Sequence, residues 1–154
     1  MKGVDERLAE LGLELPPPPQ AIAAYLPVVV HGNLAFVAGQ VPMVDGALLH
    51  AGTLGDSVSI EDGQEAARRA VLQSLSALRD ALGSFDRLER ILKLDVFVAS
   101  APTFTDQPKV ANGASELLVD VLGEAGRHAR AAVGVPSLPL GASVEVVVTA
   151  AVSA

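Results

Sequence analysis

Two ionisable residues stand in the most apolar segments of the chain, and their types set the chemistry to be considered. Arg130 lies near the front of the run ARAAVGV, and Glu145 interrupts VEVVV. A guanidinium is permanently charged and its planar fork matches a carboxylate through two parallel hydrogen bonds, so Arg130 is suited to hold a small carboxylate. A carboxylate shielded from water has its pKa raised by desolvation and lowered by a neighbouring cation, and that balance decides whether Glu145 gives or takes a proton. Each residue also has an ordinary reading. Arg130 reads as a strand-start cation whose head reaches solvent or an internal acid, and Glu145 as a strand glutamate paired across a sheet. Spacing alone does not pair the two.

Other chemistry is thinly represented. His31, His50 and His128 do not share metal-ligand spacing on one element, so no metal site is expected; His128 reads as an exposed loop histidine ahead of the alternative, one that lines a cleft. VAGQVP offers one glycine, Gly39, and no phosphate-cradling loop, and there is no nucleophile elbow; no cofactor is expected. With no cysteine the chain has no disulfide or thiolate chemistry, which is compatible with a reducing compartment and a cytoplasmic location. A net charge of −7 opposes a nucleic-acid partner, because displacing counterions from phosphates needs a Lys/Arg excess. MKGVDERLAELGLEL lacks the apolar centre of a signal peptide, and no run reaches the roughly 18 apolar residues of a membrane helix, so no membrane partner is expected.

The elements that must position Arg130 and Glu145 follow from periodicity. The chain has 154 residues, half of them hydrophobic and 19% charged, which suits one domain over 1–154 with an N-terminal arm at 1–20. A mean hydropathy of +0.41 implies apolar surface hidden between subunits. A short helix is expected over 5–13, ended by Pro16–Pro19. Two strands follow around a Gly32-Asn33 turn, and Asp45-Gly46 marks another hairpin, so three antiparallel strands open the fold. Ser59 and Asp62 resemble a capping box for a helix carrying Ala66, Ala67, Ala70, Val71, Ser74, Leu75, Leu78 and Leu82 on one face and stopping at Gly83.

ERILKLDVFVAS alternates, with Leu92, Leu94, Val96 and Val98 on one side and Lys93 and Asp95 on the other. A second helix begins near Asp106, tolerates Pro108 in its first turn and ends at Gly123. ARAAVGV and ASVEVVVTAAVS complete the sheet around the turn PSLPLG. Glu145 then shares a side with Ser143, Val147 and Thr149, away from Val144 and Val146. The class is α+β, two helices covering one sheet face.

Several of these segments resemble the RidA/YjgF family, also called L-PSP or translation-initiation-inhibitor-like. FVAGQVP at 36–42 is similar to its strand ending in Ser-Gly-Gln-Ile/Val-Pro. KLDVFV at 93–98, Asn112 in VANGASELL, and ARAAVGVPSLPLGASVEV, an Arg-bearing strand, a Leu-Pro turn and a Glu-bearing strand, carry the rest. The resemblance runs from about Tyr25 to Val152. It implies a chorismate-mutase-like, RidA-like mixed β-sheet with two helices packed on one face, a homotrimer, and clefts between subunits.

The activity it implies is hydrolysis of reactive 2-imino or enamine acids to 2-keto acids and ammonia, without metal or cofactor. By position, Arg130 would clamp the substrate carboxylate and Glu145 would orient or activate the attacking water. Tyr25 would contribute a ring, Gly39 and Ala132 backbone, and Asn112 a group from the second helix. Ala38 stands where the family has Ser, His128 where Pro is common, and Gly134 where polar residues are frequent, which marks a divergent subgroup. The alternative is a non-catalytic trimer that binds a small carboxylate metabolite or a partner. Ribonuclease activity ranks below both, because the chain is acidic and poor in aromatic rings for stacking bases.

Overall fold

The structure is a computed structural model and describes Met1 and residues 3–154. Val4–Glu10 forms α1, shorter than the expected 5–13. Its Val4 and Leu8 are buried in the core. The arm then runs extended through the prolines, tied to the body where Ser76 donates to the Pro16 carbonyl at 2.6 Å. Val28–His31 (β1) and Leu34–Val37 (β2) pair antiparallel, and Gly32, at φ 60, supplies the positive φ at the first turn position.

Met43–Val44 (β3) and Ala47–Leu48 (β4) form the second hairpin, with Asp45 and Gly46 both at positive φ as a type I′ turn requires. This hairpin is a separate two-stranded sheet, so the opening is not three strands of one sheet. Beyond β2 the chain keeps only an isolated bridge, Gln40 to Val146, before Pro42, which has no N–H to extend a ladder.

Ile60–Leu82 (α2) begins and ends where its caps dictate. Ser59 Oγ accepts from the Asp62 N–H at 3.1 Å, and Gly83 closes the helix at φ 80. The eight residues of its expected apolar face are all buried. Leu72, Gln73, Ser76 and Ala77 are buried as well, in the middle of a helix whose outer side receives the proline arm at Ser76. Gln107–Leu122 (α3) follows Asp106, with Pro108 in its first turn. It packs against α2 so closely that a Cβ on Gly113 would lie 2.3 Å from the Gln64 carbonyl oxygen.

Leu88–Ala99 (β5), Ala129–Val135 (β6) and Val144–Val152 (β7) complete a five-stranded sheet of order β1-β2-β7-β5-β6. Only the β5–β6 pair is parallel, and α3 is the crossover that such a pair needs. Leu94, Val96 and Val98 face the helices as expected, but Leu92 does not. The β5–β7 register shifts between Ile91 and Lys93, so Ile91 is fully buried and Leu92 is 37% exposed. On the other face Phe36 and Val133 are each 46% exposed, while Phe97, Val147 and Thr149 are half-buried. Three helices and one sheet face hold the core; the second face is bare. No helix among the described residues is long and apolar enough to cross a membrane.

Candidate functional site

Arg130 is opposite Leu94 in the parallel β5–β6 register, and Leu94 points under the helices. Paired residues share a face, so Arg130 leaves the sheet on the helix side. Because β6 is an edge strand, its guanidinium reaches the flank of α3 and stays exposed. Nη1 donates to Asn112 Oδ1 at 2.9 Å and to Ser115 Oγ at 3.1 Å, and Nη2 donates to the Pro108 carbonyl at 3.3 Å. A guanidinium has five N–H donors. Among the described residues the protein takes three, leaving Nε–H and one hydrogen of Nη2, the number that a bidentate carboxylate accepts. Ala132 lies two residues further along the same face, opposite Val96, and packs half-buried against the core.

Glu145 belongs to the other face. It is opposite Phe97 on β5, while Val144 and Val146 on either side are fully buried under the helices. Val147 and Thr149 share its side as expected, and all three are half-buried. Burial alone pushes the Glu145 carboxyl up from its ordinary pKa, with no charged partner contributing. Its carboxylate rests on Gly39, where a Cβ would sit 2.2 Å from Glu145 Oε1. Gly39 is therefore needed for space. Tyr25 is 51% exposed just before β1. The carbonyl of Pro27 accepts from the Ala38 N–H at 2.8 Å, which ties the Tyr25 end of the chain to the segment carrying Gly39.

Five of the six expected site residues fall into two groups. Asn112, Arg130 and Ala132 gather where β6 meets α3, Gly39 and Glu145 touch on the bare sheet face, and Tyr25 stands exposed ahead of β1. One chain does not bring Arg130 to Glu145. An edge strand and a bare sheet face are, however, surfaces that a second copy can close upon.

Comparison with known proteins agrees with this architecture. Residues 5–152 match the family described as "YjgF/chorismate mutase-like, putative endoribonuclease". The chain belongs to this family. The match begins inside the arm and takes in both site groups. Among relatives, Protein TCP17 of Trypanosoma cruzi is 47% identical over 144 residues, 93% of this chain and 90% of that protein. A crystal structure of Atu1372, a protein of unknown function from Agrobacterium tumefaciens, superposes with a TM-score of 0.91 at 43% identity, covering 97% of this chain and 92% of that one. Escherichia coli TdcF with bound serine superposes at 0.62 with 25% identity, over 88% of this chain and 94% of TdcF.

In this YjgF-family chain the sequence missed two residues at the Arg130 group. Ser115 carries one local signal, the polar i,i+3 pair it makes with Asn112 on α3. His128 is not an exposed loop histidine: it is half-buried and both ring nitrogens are bonded, Nε2 to Ser115 Oγ at 3.0 Å and Nδ1 to the Gly126 carbonyl at 2.6 Å. His50 pairs with Glu65 at 2.6 Å and lies 3.8 Å from Asp62, at the start of α2. These three groups come together from a loop and a helix, which spacing within one element does not reveal.

Proposed function

We propose that the chain hydrolyses reactive 2-imino and enamine acids to 2-oxo acids and ammonia, in a cleft completed by a second copy in a homotrimer. The observation that carries this reading is Arg130, fixed on α3 with two N–H donors still to give. Those two donors hold the substrate carboxylate and set the adjacent imine carbon at a constant position. The bound serine of TdcF supports a small carboxylate ligand for this fold. Glu145, desolvated within its own chain, is the group that would accept a proton from the attacking water. Water oxygen bonds to the imine carbon as the C=N π bond opens and one water proton passes by way of the carboxylate to nitrogen; the hydroxyl proton of the resulting carbinolamine then follows the same route to nitrogen, and C=O forms as the C–N bond breaks and ammonia leaves. An enamine substrate first takes a proton on carbon and gives up one from nitrogen, becoming the imine.

The second reading is a carboxylate-binding trimer without catalysis. It is favoured by one fact, that the Arg130 group is complete on its own while Glu145 lies on the opposite face of its chain. Endonucleolysis, which the family description names, has less support: the net charge is −7, and neither group presents a basic groove with aromatic rings.

The test is ammonia release from 2-imino acids formed in situ by an amino-acid oxidase. Wild type should accelerate it over spontaneous hydrolysis, with Glu145→Ala losing about 10²- to 10⁴-fold, the range of general-base help, and Arg130→Ala raising KM so far that acceleration is lost at the imine levels of the assay. No acceleration with small, aliphatic or aromatic imines would leave the binding reading, checked by carboxylates that raise Tm only when Arg130 is present. RNA cleavage that survives both substitutions in purified protein would overturn the small-molecule account.

A further inference from the structure

The bonds around Arg130 continue beyond it in a fixed order. A carbonyl oxygen only accepts, so the 2.6 Å contact between His128 Nδ1 and the Gly126 carbonyl requires hydrogen on Nδ1. In the neutral ring Nε2 is then bare and must accept the hydrogen of Ser115, 3.0 Å away. With its own hydrogen turned to His128, Ser115 Oγ presents a lone pair to Arg130 Nη1 at 3.1 Å. Were that hydrogen free to swing, the hydroxyl would present it to the guanidinium for part of the time and the bond would be lost.

Both ends of this chain rest on α3. Ser115 belongs to the helix, and the 3₁₀ turn Gly123–Gly126 is pressed so hard against it that a Cβ on Gly126 would be 2.1 Å from the Leu118 carbonyl oxygen. The Gly126 carbonyl is thereby held in a fixed relation to Ser115. We infer that Ser115 and His128, with His128 as the Nδ1–H tautomer, are positioning residues that orient the Arg130 guanidinium for its carboxylate. Neither touches substrate. The inference rests on the reading of Arg130 as a carboxylate clamp given above.

Two measurements test it. In ¹⁵N-edited NMR of the wild-type protein the neutral His128 ring should carry its hydrogen on Nδ1; finding it on Nε2 overturns the relay without any substitution. In calorimetry with 2-oxobutanoate as probe, Ser115→Ala and His128→Leu should each weaken binding about 3- to 10-fold, the effect of one lost hydrogen bond. His128→Gln, whose amide oxygen can accept from Ser115, should recover most of that affinity. In the ammonia assay the losses should fall on KM more than on kcat. If Arg130→Ala weakens 2-oxobutanoate binding while Ser115→Ala and His128→Leu bind like wild type, the relay is wrong and the clamp stands. If Arg130→Ala itself binds like wild type, the clamp reading fails and takes the relay with it.

Discussion

Glu145 keeps a carboxylate half out of water between two valines that are fully buried, with Gly39 beneath it and no cation contributing to its pKa. Desolvation disfavours the charged form, so the folded chain holds this proton to higher pH than the unfolded chain does. Between the two pKa values the native state binds more protons, and stability therefore falls as pH rises through that window. Glu145→Gln is expected to melt higher than wild type at neutral pH, with the gap closing once the pH drops below the ordinary glutamate value. A Gln variant that melts lower at neutral pH would mean that a cation of the assembly, such as Arg130 of a second copy across the shared cleft, outweighs the desolvation, and would sink the prediction that burial dominates the Glu145 proton. The sequence made Arg130 and Glu145 conspicuous as charges among apolar neighbours. It did not disclose the bonds behind Arg130, because Ser115 meets both Arg130 and His128 from a different element, while Asn112 entered only through the family resemblance.

At the scale of elements, caps and turns were legible and registers were not. Ser59, Gly83 and Asp45-Gly46 act within a few residues, so local chemistry determined them. The outward turn of Leu92 depends on how β5 meets β7, more than fifty residues later, and alternation had placed it with Leu94. The α2–α3 contact is equally non-local. Gly113 faces the backbone of Gln64, which cannot swing aside as a side chain would, so Gly113→Ala forces the helices apart despite the better helix propensity of alanine. The expected cost is about 1–3 kcal/mol in denaturant unfolding, the range for overpacked interiors. Because Asn112 adjoins Gly113, the same variant should also raise KM in the ammonia assay. Unchanged stability would show that the helices separate freely and that α3 is not the rigid base that Arg130 needs.

For the whole molecule, the sheet offers its helices one face and leaves the other, which carries Glu145, with Phe36 and Val133 nearly half exposed. The arm closes the outside instead: Leu8 is 4% exposed, Arg7 Nε donates to the Asp120 carbonyl at 2.9 Å, and Asp5 pairs with Arg79 at 3.4 Å. Apolar composition implied surplus apolar surface without saying which face carries it. Since Arg130 sits on the helix side of the edge strand and Glu145 on the bare face, a shared cleft must take one residue from each of two copies. In a closed ring with such head-to-tail contacts, an Arg130→Ala chain still supplies Glu145 and a Glu145→Ala chain still supplies Arg130. Co-expressing the two inactive chains in equal amounts should therefore restore about a quarter of the wild-type ammonia release, because random mixing pairs two intact contributors in that share of clefts. Each variant alone should stay inactive at the same concentration. Mixed assemblies, verified by mass, that remain as inactive as their parents would place both residues' work within single chains and overturn the shared cleft.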